Sequence, residues 1–147
     1  MVSLSAGAAQ VITLEQYVGP YRASSDWTVE RQLNAQKLLA AAFLLSGFME
    51  DEGVIFRINP RTKSQVSGGG NGGFRPQVCP IGAPKSNHKQ GNALDWYDPD
   101  EQIDNWCMGH TGVLQACGIW LEHPDATPGW SHWQRVQPGS GNRIFVP

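Results

Sequence analysis

Ser86-Asn87-His88-Lys89-Gln90-Gly91-Asn92-Ala93-Leu94-Asp95 is the stretch on which the reading of this chain turns. It sets an imidazole and a carboxylate seven residues apart, with small residues at Gly91 and Ala93 between them. Small residues allow a sharp bend, so one group can stand on a loop and the other on a strand while the backbone packs tightly behind both. Much further on, Ser131-His132-Trp133-Gln134-Arg135-Val136 alternates as a strand does, so that His132, Gln134 and Val136 share one face. Two imidazoles and one carboxylate, with a fourth position open, form the ligand pattern of a catalytic zinc site. His88, Asp95 and His132 are therefore the candidate metal ligands.

Working outward, Thr28 reads as a helix N-cap with Glu30 in the first turn. Val29, Leu33, Ala40 and Leu44 follow at helical spacing. Residues 38–45 are apolar on every side, which predicts deep burial, and Gly47 is the expected stop. Before this helix, residues 1–27 are expected to wrap the surface. After it, residues 53–67 read as strand and turn, with Val54, Phe56 and Ile58 alternating. The glycine-rich run that begins after Ser67 lacks the Lys-Ser or Lys-Thr of a phosphate loop and is expected to be a mobile flap. Asp98-Pro99-Asp100-Glu101 predicts a second helix, which Gly109 and Gly112 divide and Gly118 closes. His110 falls on its apolar face and is expected to be a core histidine. Strand candidates follow at 119–122, 131–136 and 143–146. Helices early and in the middle, with strands around them, predict a single α+β domain over residues 1–147, a small antiparallel sheet with flanking helices.

Composition narrows the function classes. The 147 residues carry 11 Lys+Arg against 13 Asp+Glu, a net charge of −2, which gives no basic face for nucleic acid. With 17 Gly and 10 Pro the fold should be loop-rich. Three Cys without Cys-x-x-Cys spacing suggest neither a disulfide framework nor a zinc knuckle. No segment approaches the ~18–20 apolar residues of a membrane span. Met1 to Gln10 lacks a cationic start and a long apolar run, so the expectation is a chain made in the cytoplasm without its own export signal.

The Ser86–Asp95 window resembles the Ser-x-His-x-x-Gly-x-Ala-x-Asp signature of the zinc D-Ala-D-Ala carboxypeptidase family, matching it at five fixed residues. That family includes phage L-alanyl-D-glutamate endopeptidases and shares its fold with hedgehog signalling domains. Trp130-Ser131-His132-Trp133-Gln134 is similar to the family's final ligand strand. Val66-Ser67 through Phe74-Arg75 is similar to its Ser-Gly-Tyr-Arg segment, split by a glycine insertion. The run from Trp120 to Trp130, with the Ser-Gly-Asn-Arg tail, looks like a subgroup of phage and prophage genes.

The resemblance implies a hedgehog/DD-peptidase-like fold and a Zn²⁺ peptidase acting on peptidoglycan stem peptides, of the endolysin type, at the cell wall or carried in a virion. It implies that His88, Asp95 and His132 bind the zinc and that Arg75 stabilises the oxyanion. Carboxypeptidase relatives place a carboxylate base three residues before the last ligand, where this chain has Gly129. Asp125, on the loop entering the ligand strand, is the expected substitute, with Glu122 behind it. Ser86, Trp130 and Trp133 are the candidate substrate contacts. The glycine at the base position also motivates an alternative, a catalytically impaired zinc-binding virion or tail component.

Overall fold

The computed structural model describes residues 11–147; the readings of residues 1–10, as part of a surface wrap and as lacking an export signal, lie outside it. In chain order the elements are α1 (Leu14–Val18), α2 (Val29–Asp51), β1 (Ala93–Tyr97), α3 (Gln102–Met108), α4 (Thr111–Cys117), β2 (Trp120–Glu122), β3 (Trp130–Gln134) and β4 (Ile144–Phe145). The class is α+β. The four strands lie in the order β1-β3-β2-β4. β3 is antiparallel to both neighbours, but β4 runs parallel to β2, so the sheet is mixed and not purely antiparallel. The parallel step is possible because the chain from β3 loops back over residues 135–143 before it joins the far edge.

Helix α2 begins as its sequence predicts, with the Thr28 hydroxyl accepting from the Arg31 amide. It does not stop at Gly47 but runs to Asp51. Its core row is Ala35, Leu38, Ala42, Leu45 and Met49, spaced three and four apart. Fully burying Met49 contributes roughly 1.5–3 kcal/mol, more than the ~1 kcal/mol that a mid-helix glycine costs, so packing carries the helix through. The stop falls at Gly53, whose φ of 89° suits the position after a helix end. Residues 38–45 are not buried all round, because Phe43 and Leu44 face outward about half exposed.

The N-terminal stretch does more than wrap the surface. Tyr17 and Val18 of α1 are buried in the core, the Tyr17 hydroxyl donates to the Ala93 carbonyl at 2.7 Å, and the Tyr17 carbonyl accepts from the Phe74 amide. Residues 53–67 form no strand, only isolated bridges pairing Asn59 with Ser64 and Val66 with Trp96. Val54 and Phe56 are buried, while Ile58 is exposed.

The acidic helix start is displaced. Asp98 caps α3 with both carboxylate oxygens, accepting from Ile103 and Asp104 amides at 3.1 Å, but the helix opens at Gln102 instead of Pro99. Gly109 ends α3 and Gly118, with φ of 71°, ends α4. His110 is half exposed between the two helices, stacked on Trp106 with ring centres 3.9 Å apart, and is not a core residue.

The sheet separates core from site by parity. One face carries Leu94, Trp133 and Leu121 in register across β1, β3 and β2. All three are fully buried, and they pack in the cluster that also contains Leu38 and Leu45 of α2. The opposite face carries Asp95 and His132. No described helix is long and apolar enough to cross a membrane.

Candidate metal centre

Asp95 and His132 are direct cross-strand partners in the β1–β3 ladder. The β2–β3 register pairs Trp120 with Gln134 and Leu121 with Trp133; one step further it sets Glu122 beside His132. Asp95, His132 and Glu122 thus form one row across three strands. His132 Nδ1 lies 2.8 Å from Asp95 Oδ1 and 3.8 Å from Glu122 Oε1. His88 reaches the row from a short 3-10 turn, Asn87–Gln90, with its Nε2 3.3 Å from Asp95 Oδ1. The Ser86 hydroxyl accepts from the His88 amide and starts that turn. Gly91 ends it with φ of 77°; a Cβ there would stand 2.5 Å from the Arg31 carbonyl oxygen. The small residue in the window is thus required by both the turn and the packing.

His88, Asp95 and His132 are buried, and one ligand atom from each lies within 4.8 Å of the others. Both imidazoles have their outer nitrogen occupied. His88 Nδ1 lies 2.8 Å from the Gly73 carbonyl oxygen, which can only accept. His132 Nε2 lies 2.8 Å from Gln134 Oε1, and the Gln134 amide nitrogen in turn donates to the Val136 carbonyl. For His88 this sets the neutral tautomer that donates outward and turns its Nε2 lone pair inward, whereas His132 faces an acceptor at each nitrogen, Gln134 Oε1 outside and Asp95 Oδ1 inside, an arrangement satisfied by a second ring proton or by a cation at Nδ1. Three inward acceptors suit a cation. The 3.3 Å separation of His88 Nε2 from Asp95 Oδ1 is close to the ~3.3 Å edge of a tetrahedron with ~2.0–2.1 Å metal bonds, and the 2.8 Å between His132 Nδ1 and Asp95 Oδ1 is shorter than that edge. This group can hold a metal ion.

The charges of the three groups are shifted unequally. Burial works against the Asp95 carboxylate, but the two imidazoles beside it prevail and hold it well below the usual carboxylate range. Burial pushes His88 below its ordinary value, toward the neutral form that ligates. Burial acts the same way on His132, but hydrogen bonding to Asp95 outweighs it and raises that ring.

Asp95 is held at its backbone as well. Its amide donates to Gly72 O at 2.7 Å and its carbonyl accepts from Ser67 N at 2.8 Å. The glycine-rich run is therefore bound at Ser67 and Gly72 along the outer edge of β1, beside the cleft as expected. Gly73 shows how tightly it fits, since a Cβ there would lie 1.9 Å from the Tyr17 carbonyl oxygen.

Arg75 follows on from this run. Its Nε donates to Asn71 O at 2.7 Å, its amide donates to His88 O, and its Nη2 lies 3.4 Å from Asp95 Oδ2. A fixed, nearly buried cation thus adjoins the ligand carboxylate. A cleft of about 470 Å³ opens over the site. Arg75, Ser86, Glu122 and Trp130 line it together with the three ligands.

Two of the sequence-predicted residues are elsewhere. Trp133 is fully buried on the core face, its indole donating to the Ser131 hydroxyl, because its parity is opposite to that of His132. It cannot line the cleft. Asp125 sits in the 3-10 turn Pro124–Ala126, its side chain 95% exposed and 3.7 Å from His123. It does not line the cleft, and Glu122 is the acid that does. The signal for Glu122 was available in strand parity: it flanks apolar Leu121 just as His132 flanks Trp133. Burial raises the Glu122 carboxyl above its usual range, with Asp95 adding to the effect. Gly73 and Gln134, which orient the two imidazoles, were missed because a carbonyl acceptor leaves no mark in sequence and Gln134 read only as a strand residue.

No family model, no curated protein and no solved structure matches this chain.

Proposed function

We propose that this chain is a zinc-dependent peptidase of the hedgehog/DD-peptidase-like kind that cleaves peptide bonds in peptidoglycan stems, an endolysin-type enzyme encoded by a phage or prophage. The observation that carries the reading is the row Asp95–His132–Glu122 with His88 above it and Arg75 beside it, all lining one cleft. The signature resemblance supplies the substrate class, and the borderline, nitrogen-rich ligand set supplies the choice of zinc over magnesium or calcium. The enzyme would be made in the cytoplasm of the producing cell and act at the wall or from a virion.

His88, Asp95 and His132 would hold a zinc ion, which would supply Lewis acidity toward a peptide carbonyl and a water. The protein's own groups do the rest. Glu122 is close enough to the ligand row to take a proton from that water and return it to the leaving amine. Its raised pKa brings it nearer the working pH, where a general base is most effective. Arg75, held by Asn71 and Asp95, keeps a positive charge where the carbonyl oxygen becomes negative. Trp130 offers an aromatic face on the cleft wall for the peptide.

The test uses purified walls and synthetic stem peptides, with amine release followed by mass spectrometry. Activity that disappears with chelator and returns with zinc is the expected result. Zinc-loaded protein that leaves both substrates intact overturns the proposal. Gly129, at the position where relatives carry the base, favours the second reading, a zinc-binding virion or tail component without turnover. One zinc per chain, no hydrolysis and firm association with particles would be its signature.

A further inference from the structure

The cleft does not end at the metal centre. A second hollow of about 280 Å³ adjoins it, and the two share Arg75, Ile81, Asp95 and Trp130 as walls. The second hollow continues past the glycine run to Arg61. It is just under the size range of small-ligand pockets.

Arg61 is an unusual wall. It stands in the turn closed by the Asn59–Ser64 bridge, with its amide anchored on Asn59 Oδ1 at 3.0 Å. Its guanidinium lies against Gly69, where a Cβ would stand 2.2 Å from Nη2, so the missing side chain makes the room. Among the described residues that guanidinium has no carboxylate partner. Glu15, which lines the neighbouring hollow with Arg61, pairs with Arg22 instead. The one acid in the Arg61 arm is Asp95, already committed to Arg75 and the two imidazoles. The arm on the other side of the centre holds Glu122. The groove is therefore polarised, with an uncommitted cation at one end and an acid at the other.

We infer that Arg61 is a specificity-determining residue that receives a free carboxylate of the substrate peptide, one borne by a residue close to the scissile bond. This rests on the peptidase reading and adds the class of peptide the site prefers. A guanidinium in an open groove recognises a carboxylate through paired N–H donors. A carboxamide in the same place offers one acceptor and no charge. Because Arg61 is exposed, the gain is that of a solvent-screened pair, a discrimination of about 1.5- to 5-fold, smaller at high salt.

The experiment compares two stem peptides that differ only in a free carboxylate or a carboxamide next to the cleaved bond. The zinc-loaded full chain should prefer the carboxylate form through KM. Arg61→Gln should lose that preference while kcat and zinc content stay as in the parent, and Arg61→Lys should keep part of it. Gly69→Ala, which pushes the guanidinium aside without touching a ligand, should behave like Arg61→Gln. Calorimetric titration of the same two peptides reads the same preference as binding, without turnover. Cleavage or binding of both peptides equally by the parent, or an unchanged preference in Arg61→Gln, overturns the assignment of Arg61. Selective binding without cleavage would instead leave Arg61 standing and count against the peptidase reading.

Discussion

Asp95 and His132 face each other across the β1–β3 ladder with 2.8 Å between Oδ1 and Nδ1, and Glu122 extends the same row onto β2. The ladder that builds the sheet therefore also sets the spacing of two of the three candidate ligands. Backbone pairing fixes the two Cα positions, and the contacts of His132 with Gln134 and of Asp95 with Arg75 hold the side chains, which is the rigidity a metal centre needs.

Asp95→Asn preserves volume and removes the charge. The metal should be lost, because an amide is a poor ligand and the cation is no longer balanced. Arg75 and the imidazoles would be left around a neutral group, so the fold should also lose about 3–5 kcal/mol. Metal content by elemental analysis and denaturant unfolding measure the two effects separately.

Glu122→Gln should leave zinc content and melting temperature near those of the parent and lower kcat by roughly 10²–10⁴-fold. Asp125→Asn should change neither, since Asp125 points to solvent. A large loss in the Asp125 variant with a normal Glu122 variant would show the base to be misassigned.

Gly73→Ala tests the packing behind the site. The new methyl meets the Tyr17 carbonyl, and relieving that contact displaces the Gly73 carbonyl that holds His88. A stability loss of about 1–3 kcal/mol is expected, together with weaker zinc binding. A stable Gly73→Ala protein with parental zinc affinity would mean that the carbonyl does not orient the ring.

Asp104 gives the pH dependence. It is fully buried, with Oδ1 lacking a hydrogen-bond partner and Oδ2 accepting from the Thr127 hydroxyl. Burial pushes its carboxyl up to about 7, with Asp98 adding to the effect. In the unfolded chain it titrates near ~3.9, so between about pH 4 and pH 7 the native state keeps a proton that the unfolded chain has released. That contribution is complete below about pH 4 and is lost as pH rises through 7. Asp104→Asn stays neutral throughout, so at pH 8 it should be more stable than the parent by roughly 1–3 kcal/mol. The difference should shrink toward pH 5. Urea unfolding at the two pH values measures it.

The convergence of His88, Asp95 and His132, a group that can hold a metal ion, was legible because its chemistry is local: a loop imidazole, a bend of small residues and an alternating strand are all written in single residues. The division of the second helix at Gly109 was legible for the same reason. What escaped depends on partners distant in sequence. Gly47 reads as a stop until Met49 is seen in the core. Trp133 reads as a groove wall until the sheet's parity turns it inward. Residues 53–67 alternate for a few positions, but Val66 alone bridges to β1, so the pattern has no ladder to join. The parallel placement of β4 follows from a return path that two short strands do not announce. Glu122 and not Asp125 lines the cleft, because cross-strand register places a side chain more strictly than nearness along the chain does.

Tyr17 connects pieces that sequence order keeps far apart, joining the start of the chain to Ala93 through its hydroxyl and to Phe74 through its carbonyl. It acts as a keystone beneath the two arches that carry Asp95 and Arg75. A shortened chain beginning at Trp27 would keep every ligand, yet both arches would lose their common footing. Trimming for crystallisation or fusion should therefore spare this leading stretch, however dispensable it looks.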